Sequence, residues 1–156
     1  LMKRDYLLIA LAVLISDQLT KYWAATVLIK GSVPVAPFLS FTLVHNTGAA
    51  FGFMSDAGGW QNIFFMAVAA LASVLIVVML WRLQDRWVGY ALALILGGAV
   101  GNLIDRVLHG FVIDFIDVYY GTWHWPAFNI ADSAITIGAI VLLIDAFRPK
   151  PHQRHA

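Results

Sequence analysis

No cysteine occurs among the 156 residues. This excludes a disulfide framework, a thiolate zinc site and a cysteine nucleophile, and it leaves the redox compartment unreadable from this residue. Charge is nearly as scarce: Asp, Glu, Lys and Arg make up 12% of the chain, with a formal net charge of +1. The basic residues are scattered, so no patch can track a phosphate backbone, and nucleic-acid binding is excluded. The chain has no H-E-x-x-H or comparable spacing, and its five histidines are dispersed, which leaves little support for a metal site. Chemistry falls to Asp, His, Ser, Thr, Lys and Arg. There is no internal repeat or low-complexity segment, and Pro149 to Ala156 reads as a polar tail.

What is present is apolar: 61% of the residues are hydrophobic, far above a soluble domain of one-domain length, so the chain is a single membrane domain, residues 1–156. A helix needs about 20 mostly apolar residues to span the hydrocarbon core. Four segments qualify, roughly Tyr6 to Leu28, Trp60 to Trp81, Trp87 to Ile104 and Ala127 to Phe147. The expected fold is an all-α polytopic membrane protein of four transmembrane helices with a small β region. The first apolar run follows Lys3 and Arg4 as a secretory signal would, but it is long and lacks a clean small-residue cleavage site, so it reads as a retained anchor. Lys3 and Arg4, Arg82 and Arg86, and Arg148, Lys150 and Arg154 fall at three places that the positive-inside rule makes cytoplasmic. Both termini are then cytoplasmic, and Ile29 to Gly59 and Val107 to Pro126 lie outside.

Polar residues interrupt this background at particular points. In the first helix Asp17 and Lys21 stand four apart and share a face, where an ion pair would lower the cost of charge near lipid. The pair reads as a lock between helices or as a substrate contact. Pro34 and Pro37 break any helix, and Phe38 to His45 is β-branched and aromatic with partial alternation, so residues 31–53 are expected to hold one or two surface strands. Asn46 stands in a run of small residues that would let a backbone or an extended peptide come close. The second helix carries little beyond spanning. In the third, Gly97 and Gly101 permit close helix contact, and Asn102 shares a face with Arg106, whose guanidinium can fork onto a carboxylate or carbonyl.

Phe111 to Tyr120 alternates poorly and is expected to be an irregular segment folding back over the helix ends. The fourth helix is expected from about Ala127, with Pro126 in its first turn and Asn129 and Asp132 three apart on one face. Asp145 near Arg148 reads as interfacial. An ionisable residue at the edge of a bundle costs roughly 2.5 kcal/mol or more to insert, which makes Asp132 a functional candidate by default. Asp114 lies on the connection that returns to Asp132. Two carboxyls in hydrogen-bond reach share one proton, and such a pair can activate water and protonate a leaving amine without metal or covalent intermediate. Spacing alone leaves other readings open: either acid pairing with Arg106, a cation held by Asp114, Asp117, His124 and Asp132 in a metal-dependent hydrolase, or a non-enzymatic four-helix transporter or scaffold.

Five blocks carry a further signal: Asp17-Gln-Leu-Thr-Lys21, Asn46-Thr-Gly-Ala-Ala-Phe51, Gly97-Gly-Ala-Val-Gly-Asn-Leu-Ile-Asp-Arg106, Val112-Ile-Asp114-Phe115 and Phe128-Asn-Ile-Ala-Asp132-Ser133. In these, in order, the chain resembles the bacterial lipoprotein signal peptidases (signal peptidase II). The resemblance implies a membrane aspartyl endopeptidase that removes the signal peptide from diacylglyceryl-modified prolipoproteins, cutting just before the lipidated cysteine, with neither cofactor nor metal. The expected state is a monomer among the lipids of the cytoplasmic (inner) membrane, with the active site on the outer side that the charge pattern gives, and the family's β-cradle would fall on residues 31–53. By motif, Asp114 and Asp132 are the catalytic pair, Asn46, Gly98, Asn102, Arg106 and Asn129 bind substrate, and Asp17 and Lys21 give structural support. Asp117, three residues from Asp114, is the one ambiguity.

Overall fold

The computed structural model describes residues 2–48 and 59–148. Helices α1 (Met2–Val27), α2 (Trp60–Arg82), α3 (Arg86–His109) and α4 (Ile130–Ala146) are joined at one end by strands β1 (Val33–Ala36), β2 (Leu39–Asn46), β3 (Val112–Tyr120) and β4 (Trp123–His124). The strands form one antiparallel sheet in the order β1-β2-β3-β4. Residues 49–53 of the expected surface-strand region lie outside the described residues.

Helix α3 is the central element, packed against α1, α2 and α4. Small residues let it be so. Gly97 lies against the Ala10 carbonyl and Val13 of α1, Gly98 against the Ala131 carbonyl and Ile135 of α4, and Gly101 against the Asp17 carboxylate. At Gly138 the relation is reversed, with α4 resting on the Ala91 carbonyl of α3. In lipid, helices gain little from burying apolar surface against each other, so close backbone approach carries the packing. Most other large apolar side chains on α1, α2 and α4 are exposed, as a surface facing acyl chains would be.

Among the described residues three helices are long and apolar enough to cross a membrane: α2, α3, and α1 with its 3-10 extension. The fourth expected span is shorter than the sequence suggested, because α4 begins at Ile130 and has 17 residues. The reason is local. Phe128 exchanges backbone hydrogen bonds with Ile116 at 2.9 and 3.1 Å, which keeps the chain extended. Asn129 then caps the helix: its side chain accepts the Asp132 N–H at 2.9 Å, and the Asp132 carboxylate accepts the Asn129 N–H at 3.2 Å. This reciprocal box fixes the first turn, so Pro126 lies outside the helix. At its other end α3 runs more than a turn past Ile104, to a left-handed Gly110.

The expectation of an irregular segment at Phe111 to Tyr120 is also corrected, since Val112–Tyr120 is the longest strand of the sheet. It pairs with β2 from Asn46↔Val112 to Leu39↔Val118. Alternation is lost because both faces of its first half are buried: Ile113 and Phe115 pack with Ala24 of α1 and Leu28 of its 3-10 extension, while Asp114 enters the polar interior on the other face. A strand covered on both sides does not show a two-residue pattern.

Gly98 offers a direct check on this packing. A Cβ there would strike the Ala131 carbonyl and Ile135, so Gly98→Ala must push α4 off α3. We expect a loss of about 1–3 kcal/mol, read as a lower thermal midpoint in detergent; an unchanged midpoint would show that the contact does not matter.

Candidate functional site

The site is assembled where the ends of α1, α3 and α4 meet the sheet, and its centre is a buried cation. The Lys21 ammonium, on a side chain 2% exposed, lies 2.8 Å from Asp17 Oδ2 and 2.9 Å from Asp105 Oδ2. It also donates to Asn102 Oδ1 at 2.9 Å. Gln18 Nε2 ties the two acids together, donating to Asp17 at 3.2 Å, Asp105 at 3.1 Å and the Gly101 carbonyl at 3.2 Å. The acids also organise backbone: Asp17 accepts the Ala131 N–H at 2.9 Å, and Asp105 accepts the Ile113 N–H at 3.0 Å. One cluster therefore fixes the residues immediately before both Asp132 and Asp114.

From this cluster the direction of each amide follows. An ammonium can only donate, so Asn102 must turn its oxygen to Lys21 and its nitrogen away. That nitrogen donates to Asp132 Oδ1 at 2.8 Å. The capping box settles Asn129 in the same manner. Its oxygen accepts the Asp132 N–H, and its nitrogen donates to Asp114 Oδ1 at 2.7 Å, with further contacts of 3.2 Å to Asn102 Oδ1 and the Ile113 carbonyl. Asn46, at the end of β2, takes the Gly48 N–H on its oxygen at 2.8 Å and donates to Asp114 Oδ2 at 2.9 Å. Asp114 and Asp132 are thus linked through the Asn102–Asn129 pair.

Asp114 is 1% exposed. Burial pushes its carboxyl up from the ordinary value to about 6; the hydrogen bond from Asn46 works against this, the nearby Asp132 charge adds to it, and Lys21 and Asn129 oppose it. The group therefore exchanges its proton close to neutral pH. Beside it opens a cavity of about 590 Å³ whose wall includes Asn46, Gly48, Phe65, Arg106, Asp114 and Pro126. Arg106 forms no ion pair with either acid among the described residues, and its guanidinium lies over the Phe65 ring, 5.2 Å from the centroid.

The fold separates Asp117 from this site. Three residues along a strand from Asp114 it points to the opposite face, where it pairs with His124 at 2.8 Å and accepts from Ser40 at 3.2 Å. Gly98 lies one turn below Asn102, against the Ala131 carbonyl. Asp145 and Arg148 are 3.9 Å apart at the far end of the bundle, where Arg148 also lies over Trp87.

This arrangement and the sequence find counterparts among known proteins. A family model described as signal peptidase (SPase) II matches residues 9–148. The chain belongs to the signal peptidase II family. As a member it is an aspartic peptidase of the membrane. Lipoprotein signal peptidase of Acinetobacter baumannii is 57% identical over 145 residues, covering 88% of this chain and 82% of the relative. That of Hydrogenovibrio crunogenus is 47% identical over 152 residues, covering 95% and 88%. A solved bacterial membrane enzyme structure at 1.9 Å resolution superposes with a TM-score of 0.80 at 38% identity, covering 94% of each chain. Another, at 2.3 Å, gives 0.78 at 35%, covering 97% of this chain and 93% of that one.

Two residues of the buried cluster, Asp105 and Gln18, are not singled out by the sequence. Asp105 stands three residues after Asn102, a spacing that places both on one helical face, and this was the available signal. Gln18 lies beside Asp17, and nothing in its spacing pointed to the bridge it makes. The cluster predicts the cost of removing its cation: Lys21→Met leaves two buried carboxylates unpaired, so stability should fall by about 3–5 kcal/mol. Loss of folded protein, or a large drop in thermal midpoint, is the expected result, and near wild-type stability would contradict the assigned role of Lys21.

Proposed function

We propose that this signal peptidase II family member removes the signal peptide from diacylglyceryl-modified prolipoproteins, cutting just before the lipidated cysteine, with Asp114 and Asp132 as its catalytic pair. The observation that carries this reading is the convergence of both acids on one asparagine pair beside an open cavity, with one acid titrating near neutral pH. Asp132 takes donors on both oxygens, one of them the backbone N–H of its own cap at a helix N-terminus. In our reading Asp132 takes the proton from an attacking water. Asp114, pushed up to about 6, is the member that carries a proton. Substrate filling the cavity removes further solvation and favours that form more. It stabilises the developing oxyanion and then protonates the leaving amine.

Arg106, through backbone carbonyls, and Asn46 hold the extended substrate at the cavity wall, the buried Asn102 and Asn129 serve it indirectly by fixing the two acids, and Gly98 seats the α4 terminus against them. Asp17 and Lys21 act through position. The membrane setting follows from charge. Arg4, Arg82, Arg86 and Arg148 lie at the end of the bundle away from the sheet, which supports cytoplasmic termini and an active site at the outer face of the bacterial inner membrane. Helix α4, with 17 residues, is at the lower limit of about 17–25 that spans a bilayer core, and we read it as the fourth span. A substrate that is itself a membrane helix with an acylated cysteine presents its scissile bond at that depth, where water meets acyl chains. The enzyme would work as a monomer in contact with membrane lipid.

Cleavage of a purified lipidated prolipoprotein in detergent tests this. Asp114→Asn and Asp132→Asn should each lower turnover by about 10³-fold or more, and full activity in either removes that residue from the pair. Arg106→Ala should fold and yet lose most of its processing activity.

A further inference from the structure

The second helix contributes more than a span, because its first turns supply the seat for Arg106. Asn62 Nδ2 reaches the Arg106 carbonyl at 3.4 Å, holding the start of α2 against the end of α3. One turn further on, the Phe65 ring lies under the guanidinium, 5.2 Å from centroid to Cζ. The ring has a second neighbour. Gly48, at φ +85°, comes so close that an added Cβ would lie 2.6 Å from the ring edge. Phe65 therefore touches both the cation and the turn whose N–H orients Asn46 toward Asp114. Within the described residues Arg106 Nε is buried without a hydrogen-bond partner.

This seat has a chemical consequence. A carboxylate partner would fix Arg106 by consuming its N–H donors, and if that partner were Asp114 it would also pull the carboxyl down from near-neutral titration. An aromatic face attracts the cation through its quadrupole and leaves the in-plane N–H groups free. We propose that Phe65 is a positioning residue for the cleavage reaction, holding Arg106 at the cavity wall with its donors available to substrate carbonyls; this rests on the reading of Arg106 as a carbonyl binder. Nothing in the apolar pattern of α2 separates Phe65 from its neighbours, since Ile63 and Phe64 are equally apolar but exposed. Only its placement under Arg106 and against Gly48 does so.

The test replaces Phe65 with mono-, di- and trifluorinated phenylalanine, which weakens the ring quadrupole stepwise with little change in volume. With a lipidated prolipoprotein as substrate, kcat/KM should fall stepwise to about a tenth of its starting value, mainly through a rise in KM. Phe65→Leu should match the most fluorinated ring, and Phe65→Tyr should retain activity. A flat series would overturn the proposal, because packing alone does not follow the quadrupole. Arg106→Ala, assayed alongside, separates the two levels. Normal cleavage by that variant would remove the carbonyl-binding reading itself, whereas impaired cleavage together with a flat series would remove Phe65 alone.

Discussion

A single buried ammonium organises the site. Lys21 has two carboxylates and one amide oxygen within 2.9 Å, in a chain where charge is scarce. Its presence makes the burial of Asp17 and Asp105 tolerable, and those acids in turn grip the backbone just ahead of Asp132 and Asp114. Because the ammonium only donates, Asn102 has one usable orientation, and the α4 cap imposes the same on Asn129. The two acids are thus held by amides whose directions are set by groups other than the two carboxyls. Such prior arrangement is what positions groups for acid–base chemistry with little reorganisation during the step.

The glycines serve the same end. Where α3 meets α1 and α4, Gly97, Gly98 and Gly101 bring backbone and carboxylate within contact distance, which makes a short-range network possible between helices that lipid would not otherwise drive together. The sheet completes the enclosure. Strand β3 brings Asp114 down onto the Asn129 cap, while β2 delivers Asn46 from the other side. Helices alone would leave Asp132 with Asn102 and no second acid.

Much of this was legible in the chain before folding. Scarcity of charge identified the membrane setting, and the four-residue spacing of Asp17 and Lys21 anticipated their ion pair. The five motif blocks pointed to the signal peptidase II family, which the family match and the relatives show. Other features depended on information that periodicity does not carry. Phe111 to Tyr120 looked irregular because a strand buried on both faces loses alternation. Helix α4 starts three residues later than Ala127; Pro126 is an acceptable first-turn residue and points to the earlier start, while the Asn129–Asp132 box, a stronger signal, shows in the sequence only as a shared face. Asp117 could not be set apart from Asp114 by composition; once the segment is a strand, their odd separation sends them to opposite faces. The role of Asp105 required three dimensions, since its partners come from α1 and β3.

The central claim is that Asp114 and Asp132, both held by the Asn102–Asn129 pair, behave as one electrostatically coupled pair. The most direct test is an infrared titration that follows the protonated-carboxyl band of Asp114, assigned by its loss in Asp114→Asn. In the wild-type enzyme the band should disappear as pH rises through about 6. Because the Asp132 charge helps to raise that value, the midpoint should move down in Asp132→Asn. A midpoint in the ordinary carboxylate range, or one indifferent to Asp132, would contradict the account.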